Sequence, residues 1–253
     1  MKTIVLTNQK GGVAKTTTAY ALATGLHNKG YNVLIVDADP QGNLSYTAGY
    51  DENEKDTLYD VFKGNCNVTD AIRSVKTGID LLTVGIYGTA ADMELSSRTA
   101  REYMLSEALE KVSDRYEYCV IDTAPTLGVL TLNALTAADY AIIPMNPEIY
   151  SLQGMEQLNG FIDNVKKYTN HKLKVLGLLL TRYNDRLNLT QAIKGHIEQA
   201  AELVNTVVFD TKIRESVAVR ETQLLRSDIY TEAPKATATL DYVEFVNEFL
   251  KNF

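Results

Sequence analysis

The sequence predicts an α/β protein with a doubly wound, mostly parallel sheet that is flanked by helices. Short runs rich in Val, Leu and Ile alternate along the chain with longer helical stretches, which is typical of strand–helix–strand units. These runs are almost continuously apolar, and this indicates strands buried on both faces of the sheet. Sheets of this kind bind ligands at the carboxyl ends of their strands, so polar residues at those ends are the first candidates for a site.

The apolar runs and helical periods place the elements in order along the chain. The expected strands occupy residues 3–7, 32–37, 79–84, 118–122, 140–144, 173–181 and 206–209. The expected helices occupy residues 17–28, 58–62, 99–114, 127–137, 151–168 and 189–203, with a C-terminal helix over 237–253. No stretch rich in Pro, Gly or Ser divides the chain, so residues 1–253 are expected to form a single domain. The polar, turn-rich residues 51–78 are interpreted as a surface excursion from it.

The composition excludes several classes of protein. Hydrophobic residues make up 45% of the 253 residues, which is ordinary for a globular protein. No apolar run approaches the roughly 18 residues of a membrane span, and the start lacks the features of a secretion signal. Cys66 and Cys119 lack the CxxC spacing of zinc or iron–sulfur sites. We therefore expect a cytoplasmic protein. The net charge of −7 argues against a uniformly basic nucleic-acid binder, although not against a local basic patch.

Residues 8–18 contain the most informative motif of the chain. They read Asn-Gln-Lys-Gly-Gly-Val-Ala-Lys-Thr-Thr-Thr and connect the first expected strand to the first expected helix. A glycine-bearing loop before a helix that opens with Lys-Thr is typical of a phosphate-binding loop, because the unpaired N–H groups and the dipole of the helix favour an anion there. Lys15 is expected to reach the outer phosphates, and the Thr16 hydroxyl to bind Mg²⁺. The expected nucleotide-binding residues are Gly11, Gly12, Val13, Ala14, Lys15, Thr16 and Thr17.

This loop departs from the usual pattern G-x-x-x-x-G-K-S/T. Gln9 and Ala14 stand where that pattern has glycine, and a second lysine, Lys10, precedes the glycine pair. If position 14 requires a positive φ or a close backbone approach, alanine costs about 1 kcal/mol or more there.

Two further motifs place carboxylates at strand ends. Alternation along the second expected strand puts Asp37 and Asp39 on one face, where they could orient a Mg²⁺-bound or attacking water, although the Asp-Pro step is also a common turn. The strand over residues 118–122 ends in Asp122, which resembles the Walker B carboxylate that holds Mg²⁺. A helix-capping aspartate is the alternative interpretation there.

Together these motifs resemble the ParA-type partition ATPases of the ParA/MinD group, in a short form without an N-terminal DNA-binding domain. The resemblance rests on Gln-Lys-Gly-Gly-Val-Ala-Lys-Thr-Thr, Asp-Ala-Asp-Pro-Gln-Gly-Asn, Ile-Asp-Thr-Ala-Pro and Glu-Ile-Tyr-Ser-Leu-Gln-Gly. It implies a P-loop ATPase that uses ATP and Mg²⁺, with Lys10, Lys15 and Asp39 as catalytic residues. Asp39 would position the attacking water, and Mg²⁺ would be held by Thr16, Asp39 and Asp122.

The resemblance also implies partners. Lys10 would cross into a second subunit, so that two ATP molecules are sandwiched in a homodimer. That dimer would bind DNA without sequence preference, associate with the nucleoid, and hydrolyse ATP when a ParB-like centromere-binding protein stimulates it. The basic residues of the C-terminal half that could contact DNA are Arg182, Arg186, Lys212, Arg214, Arg220 and Arg226, and Arg186, Lys212, Arg214 and Arg220 are the candidate DNA-binding residues. Scattered surface charge is the alternative, since Glu215 and Ala218 stand where relatives often carry basic residues.

Two other functions remain open on the same scaffold. A MinD-like membrane-associated ATPase would need a basic amphipathic C-terminal helix, but the polar positions of residues 237–253 are mostly acidic, so no stable membrane association is expected. A small-molecule ligase that uses ATP to phosphorylate a carboxylate would not need Lys10 from a partner.

Overall fold

The expected α/β architecture is confirmed by a computed structural model that describes residues 1–50, 56–85, 88–147, 151–184 and 191–252. Within these residues, eight strands form one sheet in the order β3-β4-β2-β5-β1-β6-β7-β8. The strands are β1 (Lys2–Leu6), β2 (Val33–Ala38), β3 (Arg73–Ser74), β4 (Asp80–Thr83), β5 (Tyr118–Thr123), β6 (Tyr140–Met145), β7 (Lys174–Tyr183) and β8 (Val208–Arg214). All neighbours pair in parallel except β3 and β4, which are antiparallel.

Helices cover both faces of this sheet. They are α1 (Lys15–Asn28), α2 (Asn43–Thr47), α3 (Leu58–Lys63), α4 (Val68–Ala71), α5 (Gly88–Leu95), α6 (Met104–Glu110), α7 (Val129–Ala137), α8 (Ser151–Tyr168), α9 (Gln191–Leu203), α10 (Val217–Leu224), α11 (Ile229–Glu232) and α12 (Thr237–Lys251). The central strand β1 shows why both faces are apolar: Val5 packs into one hydrophobic core, and Ile4 and Leu6 pack into the other. No described helix is long and apolar enough to cross a membrane.

The register of the central strands brings the sequence motifs together. Asp37 of β2 lies beside Asp122 of β5, and β5 pairs on its other side with β1, which leads into the phosphate loop. The carboxyl ends of these parallel strands therefore meet at one edge of the sheet.

Several elements differ from the sequence-based expectation. Within 51–78, α3 and α4 bury Leu58, Phe62 and Val68 in a core, and β3 joins the sheet, so the part of this segment that is described covers the sheet edge. The helix expected over 99–114 is shorter, because Ala100 adopts a left-handed φ of 54° and a 3-10 turn precedes α6. Strand β8 extends five residues beyond its expected end at 209. It lies at the edge of the sheet and carries polar residues at 210–212, which interrupt the apolar run that predicts a buried strand.

Candidate nucleotide-binding site

A cleft of about 700 Å³ opens at the carboxyl edge of the sheet. The phosphate loop, the end of β7 and the segments after β2, β5 and β8 surround it, as expected for a parallel sheet. Of the predicted site residues, those that line it are Gly11, Gly12, Ala14, Lys15, Thr16, Thr17, Asp39, Arg214 and Arg220. The nucleotide-site residues in this set, which are predicted to lie at the carboxyl ends of the strands, therefore line one cavity.

The phosphate loop is held in place by three neighbouring strands. The Asn8 side-chain amide donates to the Pro144 carbonyl at 2.8 Å, and the Asn8 side-chain oxygen accepts from the Lys10 N–H at 3.0 Å. The Thr181 hydroxyl donates to the carbonyl of Val13 at 3.1 Å, and the Thr123 hydroxyl donates to that of Leu6 at 2.8 Å. Val13 is buried beneath the loop. The loop shape is therefore fixed by the protein before any ligand binds.

The start of α1 is arranged for an anion. Ala14 occupies the N-cap position with φ 60° and ψ 30°, in the left-handed region, and its side chain offers no capping acceptor. Gly12 also has a positive φ, 75°. The strain anticipated for alanine at position 14 is thus present in the backbone.

Lys15 is a buried amine, with a residue exposure of 7%. Its Nζ donates to the carbonyl of Lys10 at 3.1 Å, which aims the side chain back across the loop. Burial lowers the pKa of Lys15, and the nearby Asp122 and Asp39 carboxylates oppose that shift. The charges of the two carboxylates therefore stabilise the protonated amine of Lys15.

Asp122 is fully buried, and neither of its carboxylate oxygens has a hydrogen-bond partner. Burial, followed by the neighbouring Asp37 carboxylate, raises the pKa of Asp122 well above its usual range. The Thr16 hydroxyl opposes this shift in pKa, although it makes no hydrogen bond of normal geometry to either oxygen. An unsatisfied buried carboxylate is costly and needs a cation or a water ligand.

This arrangement fits Mg²⁺ bound together with a nucleotide. The described residues contain no cluster of three or more His, Cys, Asp or Glu side chains that would hold a metal alone. Mg²⁺ in nucleotide sites typically takes one or two protein oxygens, and phosphates and waters complete its octahedron. The Thr16 hydroxyl and the unpaired oxygens of Asp122 are protein oxygens of that kind.

The two aspartates after β2 have different surroundings. Asp39 lines the cleft, and its Oδ1 accepts from the N–H of Gln41 at 3.0 Å. Asp37 is fully buried: Oδ1 accepts from the N–H of Asp39 at 3.2 Å, and Oδ2 accepts from the N–H and hydroxyl of Ser45 at 2.8 and 2.6 Å. Burial raises the pKa of Asp37 to about 6, although these hydrogen bonds oppose the rise. Asp37 therefore fixes the segment that carries Asp39.

The candidate DNA-binding residues have different partners. Arg186 lies outside the described residues. The Arg214 guanidinium binds Asp241 through Nη2–Oδ1 at 2.5 Å and Nε–Oδ2 at 3.0 Å, and so joins β8 to α12. Lys212 Nζ lies 5.0 Å from the centre of the Tyr183 ring, and Arg220 forms an exposed ion pair at 3.3 Å. A DNA-binding role for these residues stays a prediction.

Part of the cleft wall could not be recognised from the sequence. Tyr46 of α2 and Gln223 of α10 also line it, and the Gln223 amide donates to the Thr17 hydroxyl at 3.3 Å. Neither residue lies in a recognisable motif. The signal that could have located α10 is Ser216, an extended N-cap residue, but the weak apolar period after it concealed the helix.

Comparisons with known proteins agree with this geometry. A family described as "AAA domain" matches residues 1–175. The chain is 35% identical to the sporulation initiation inhibitor protein Soj of Bacillus subtilis, covering 99% of each chain. It is 34% identical to the chromosome partitioning protein ParA of Caulobacter vibrioides, covering 99% of this chain and 94% of that one. The chain belongs to the ParA/Soj family of P-loop ATPases.

Solved structures extend the likeness beyond partition proteins. Cobyrinic acid a,c-diamide synthase from Mycobacterium smegmatis, with a bound ATP analogue and magnesium, is 32% identical, with a TM-score of 0.85 over 99% of this chain and 95% of that one. The cell division ATPase MinD of Pyrococcus furiosus is 26% identical, with a TM-score of 0.78 over 99% and 98% of the two chains. The family and its fold therefore match the expectation from the motifs.

Proposed function

We propose that this ParA/Soj family member is an ATP-dependent dimerising switch for the partition of a plasmid or chromosome. Mg·ATP binds in the cleft, two loaded protomers associate face to face, and the dimer binds DNA without sequence preference. A ParB-like centromere-binding partner stimulates hydrolysis, which releases the dimer from DNA. The observation that carries the nucleotide part is that the buried Lys15 of the phosphate loop lies in the field of the unsatisfied Asp122 carboxylate on β5.

The position of Lys10 supports the dimer. Gly11 and Gly12 line the cleft, whereas Lys10 does not, although it is adjacent in sequence. Its backbone is held on both sides, by Asn8 and by the Lys15 amine. As the resemblance to the family motif implies, Lys10 would contact the nucleotide of a second copy on association, which would couple nucleotide binding to assembly.

Asp39 is the residue that we assign to positioning the attacking water. It lies on the cleft wall, and its segment is fixed by the hydrogen bonds of Asp37. A carboxylate held in this way can orient water without rearranging during the reaction. The Asp39→Ala variant should therefore bind ATP and dimerise without turning over.

A gel-shift assay tests the DNA part of the proposal. The Asp39→Ala protein should retard non-specific duplex DNA with Mg·ATP at about 50 mM salt, and retardation should fall steeply by about 200 mM salt because phosphate contacts release counterions. The Lys15→Ala protein is the control, and it should give no ATP-dependent shift. Equal retardation with and without ATP, or none with ATP, would contradict DNA binding by a nucleotide-dependent dimer.

A small-molecule ligase is the second candidate, and the 32% identity to the Mycobacterium smegmatis synthase is the observation that favours it. In that case the loop would support phosphorylation of a bound carboxylate by ATP. ATP turnover that rises with a carboxylic acid substrate, but not with DNA and a centromere-binding partner, would favour this candidate.

A MinD-like membrane switch has less support. The apolar face of α12 is packed inward: Tyr242, Phe245 and Phe249 are fully buried against the sheet. Because this face is occupied, its aromatic residues are not available to insert into a membrane, and the described part of α12 leaves only Leu240 and Val243 as exposed large apolar side chains.

A further inference from the structure

Arg182 lies where strand β7 meets the phosphate loop. The strand ends at Tyr183, and the hydroxyl of Thr181 ties it to the carbonyl of Val13 in the loop. Between the pairs Leu180–Lys212 and Tyr183–Arg214, β7 carries one residue more than β8, which is a β-bulge. Bulges often re-aim a side chain beside an active site.

The backbone at this bulge is strained. Arg182 has a φ of 50°, in the left-handed region that a long side chain seldom adopts. Strain of this kind is retained where the surrounding structure enforces it, and it concentrates at ligand sites. Here it turns the Arg182 side chain towards the cleft.

The guanidinium of Arg182 reaches the phosphate loop. A Cβ built on Gly12 would lie 3.9 Å from Nη1 of Arg182, and both residues line the cleft. Arg214 and Arg220, the other arginines on the cleft wall, are each paired with a carboxylate. Among the residues that the structure describes, Arg182 has no ion pair and no hydrogen bond to its side chain, and it is exposed. Its charge is therefore available to an anion.

We propose that Arg182 is a nucleotide-binding residue that acts within its own protomer, and that its guanidinium contacts the phosphate chain of the bound nucleotide. The inference rests on the proposed function only in that a nucleotide must bind in this cleft. Its chemistry is that of an arginine–phosphate contact, in which a planar donor group meets anionic oxygens. It is separate from the role of Lys10, which would serve the nucleotide of the partner protomer.

Calorimetric titration of Mg·ATP into four proteins tests this assignment. They are wild type, Arg182→Gly, Arg182→Lys and Lys174→Ala. Loss of one charge-assisted contact should weaken ATP binding by about 10-fold in Arg182→Gly at about 50 mM NaCl, and the difference from wild type should narrow at about 500 mM NaCl. Arg182→Lys should lose less affinity, because it keeps the charge but not the planar donor group.

Two controls distinguish a loss of ATP binding from a loss of folding and from the loss of any positive charge. Glycine accepts a φ of 50° without strain, so the melting temperature of unliganded Arg182→Gly should equal or exceed that of wild type. Lys174 is an exposed lysine at the opposite end of the same strand, so Lys174→Ala should bind ATP within about two-fold of wild type.

The possible outcomes have different meanings. ATP affinity within about two-fold of wild type in Arg182→Gly, or a loss that does not narrow with salt, would overturn the assignment. If only DNA retardation fell, Arg182 would be a DNA contact instead, and the assignment would also be overturned. Failure of wild type itself to bind Mg·ATP would instead contradict the proposed function.

Discussion

Ala14 shows most directly how one residue shapes this site. The loop requires a left-handed conformation at the N-cap of α1, and the sequence supplies alanine in place of glycine. The backbone strain is therefore built into the phosphate loop, which the flanking strands hold in place through Thr181 and Asn8. Strain that persists at a functional position implies that stability could be gained there.

We predict that Ala14→Gly raises the free energy of unfolding by about 1 kcal/mol, because glycine adopts a positive φ without steric cost. Ala48→Gly is the matched control. Ala48 has a φ of −71°, so the same substitution should destabilise the protein there. Urea unfolding of both variants measures the difference. A loss of stability in Ala14→Gly would show that the loop does not hold this strain.

Asp122 gives a second prediction at this scale, and its sign follows from linkage. Because its pKa is raised in the folded protein, the folded state binds more protons than the unfolded state at pH values above about 4. The stability of the unliganded protein should therefore fall as pH rises through the interval between the unfolded and folded pKa values. Asp122→Asn should lack this fall and melt at a higher temperature than wild type at neutral pH.

The same variant should lose Mg²⁺-dependent ATP binding, because the metal loses a carboxylate. Melting curves from about pH 4 to pH 7 without Mg²⁺, followed by ATP titration with Mg²⁺, measure both effects. Lower stability at neutral pH, or unchanged Mg·ATP affinity, would contradict the role given to Asp122.

At the scale of elements, the junction between β8 and α12 supports the far wall of the cleft. Arg214 at the end of β8 binds Asp241 of α12 through its guanidinium, and its N–H donates to the same carboxylate at 2.9 Å. The side chain of Asp241 is only 7% exposed, whereas that of Arg214 is 38% exposed. Solvent therefore reaches the arginine of this ion pair but hardly reaches the aspartate.

We predict that Asp241→Ala lowers the free energy of unfolding by about 2 kcal/mol, since it leaves the N–H and guanidinium of Arg214 without their acceptor. Glu215→Ala removes the partner of Arg220 in an exposed ion pair, so it should cost less than about 0.5 kcal/mol. Denaturant unfolding of both variants gives the comparison. Equal effects would mean that Arg214–Asp241 contributes no more than a surface pair.

Elements also show what the sequence could and could not predict. The buried strands β1, β2 and β5 were recognisable because their apolar runs are uninterrupted, and the motifs at their ends place Lys15, Asp39 and Asp122 correctly at one edge of the sheet. The wall formed by α2 and α10 was not recognisable. These helices are short, and their contacts with the cleft, through Tyr46 and Gln223, depend on tertiary packing.

The same limit applies to Asp37 and Arg182. Strand alternation places Asp37 with Asp39, but β2 ends at Ala38, and the turn that follows puts Asp39 on the cleft wall and leaves Asp37 buried against Ser45. The orientation of Arg182 depends on a bulge in β7, which no local residue pattern specifies.

At the scale of the whole molecule, the proposed function requires two copies of the chain. One protomer provides a fixed loop, a buried amine and an unsatisfied carboxylate, but Lys10 lies outside its own cleft. Two protomers related by a two-fold axis could each supply Lys10 to the other's nucleotide, which makes assembly depend on ATP. The nucleotide would then act as the switch, because only the loaded form would complete the contact between protomers.

The molar mass in solution tests this central claim most directly. Light scattering should give the Asp39→Ala protein a mass of 28.1 kDa without nucleotide and twice that value with Mg·ATP, while the Lys10→Ala/Asp39→Ala double variant stays at 28.1 kDa in both conditions. A mass of 28.1 kDa for the ATP-loaded Asp39→Ala protein, at concentrations where calorimetry shows the site to be saturated, would contradict the account.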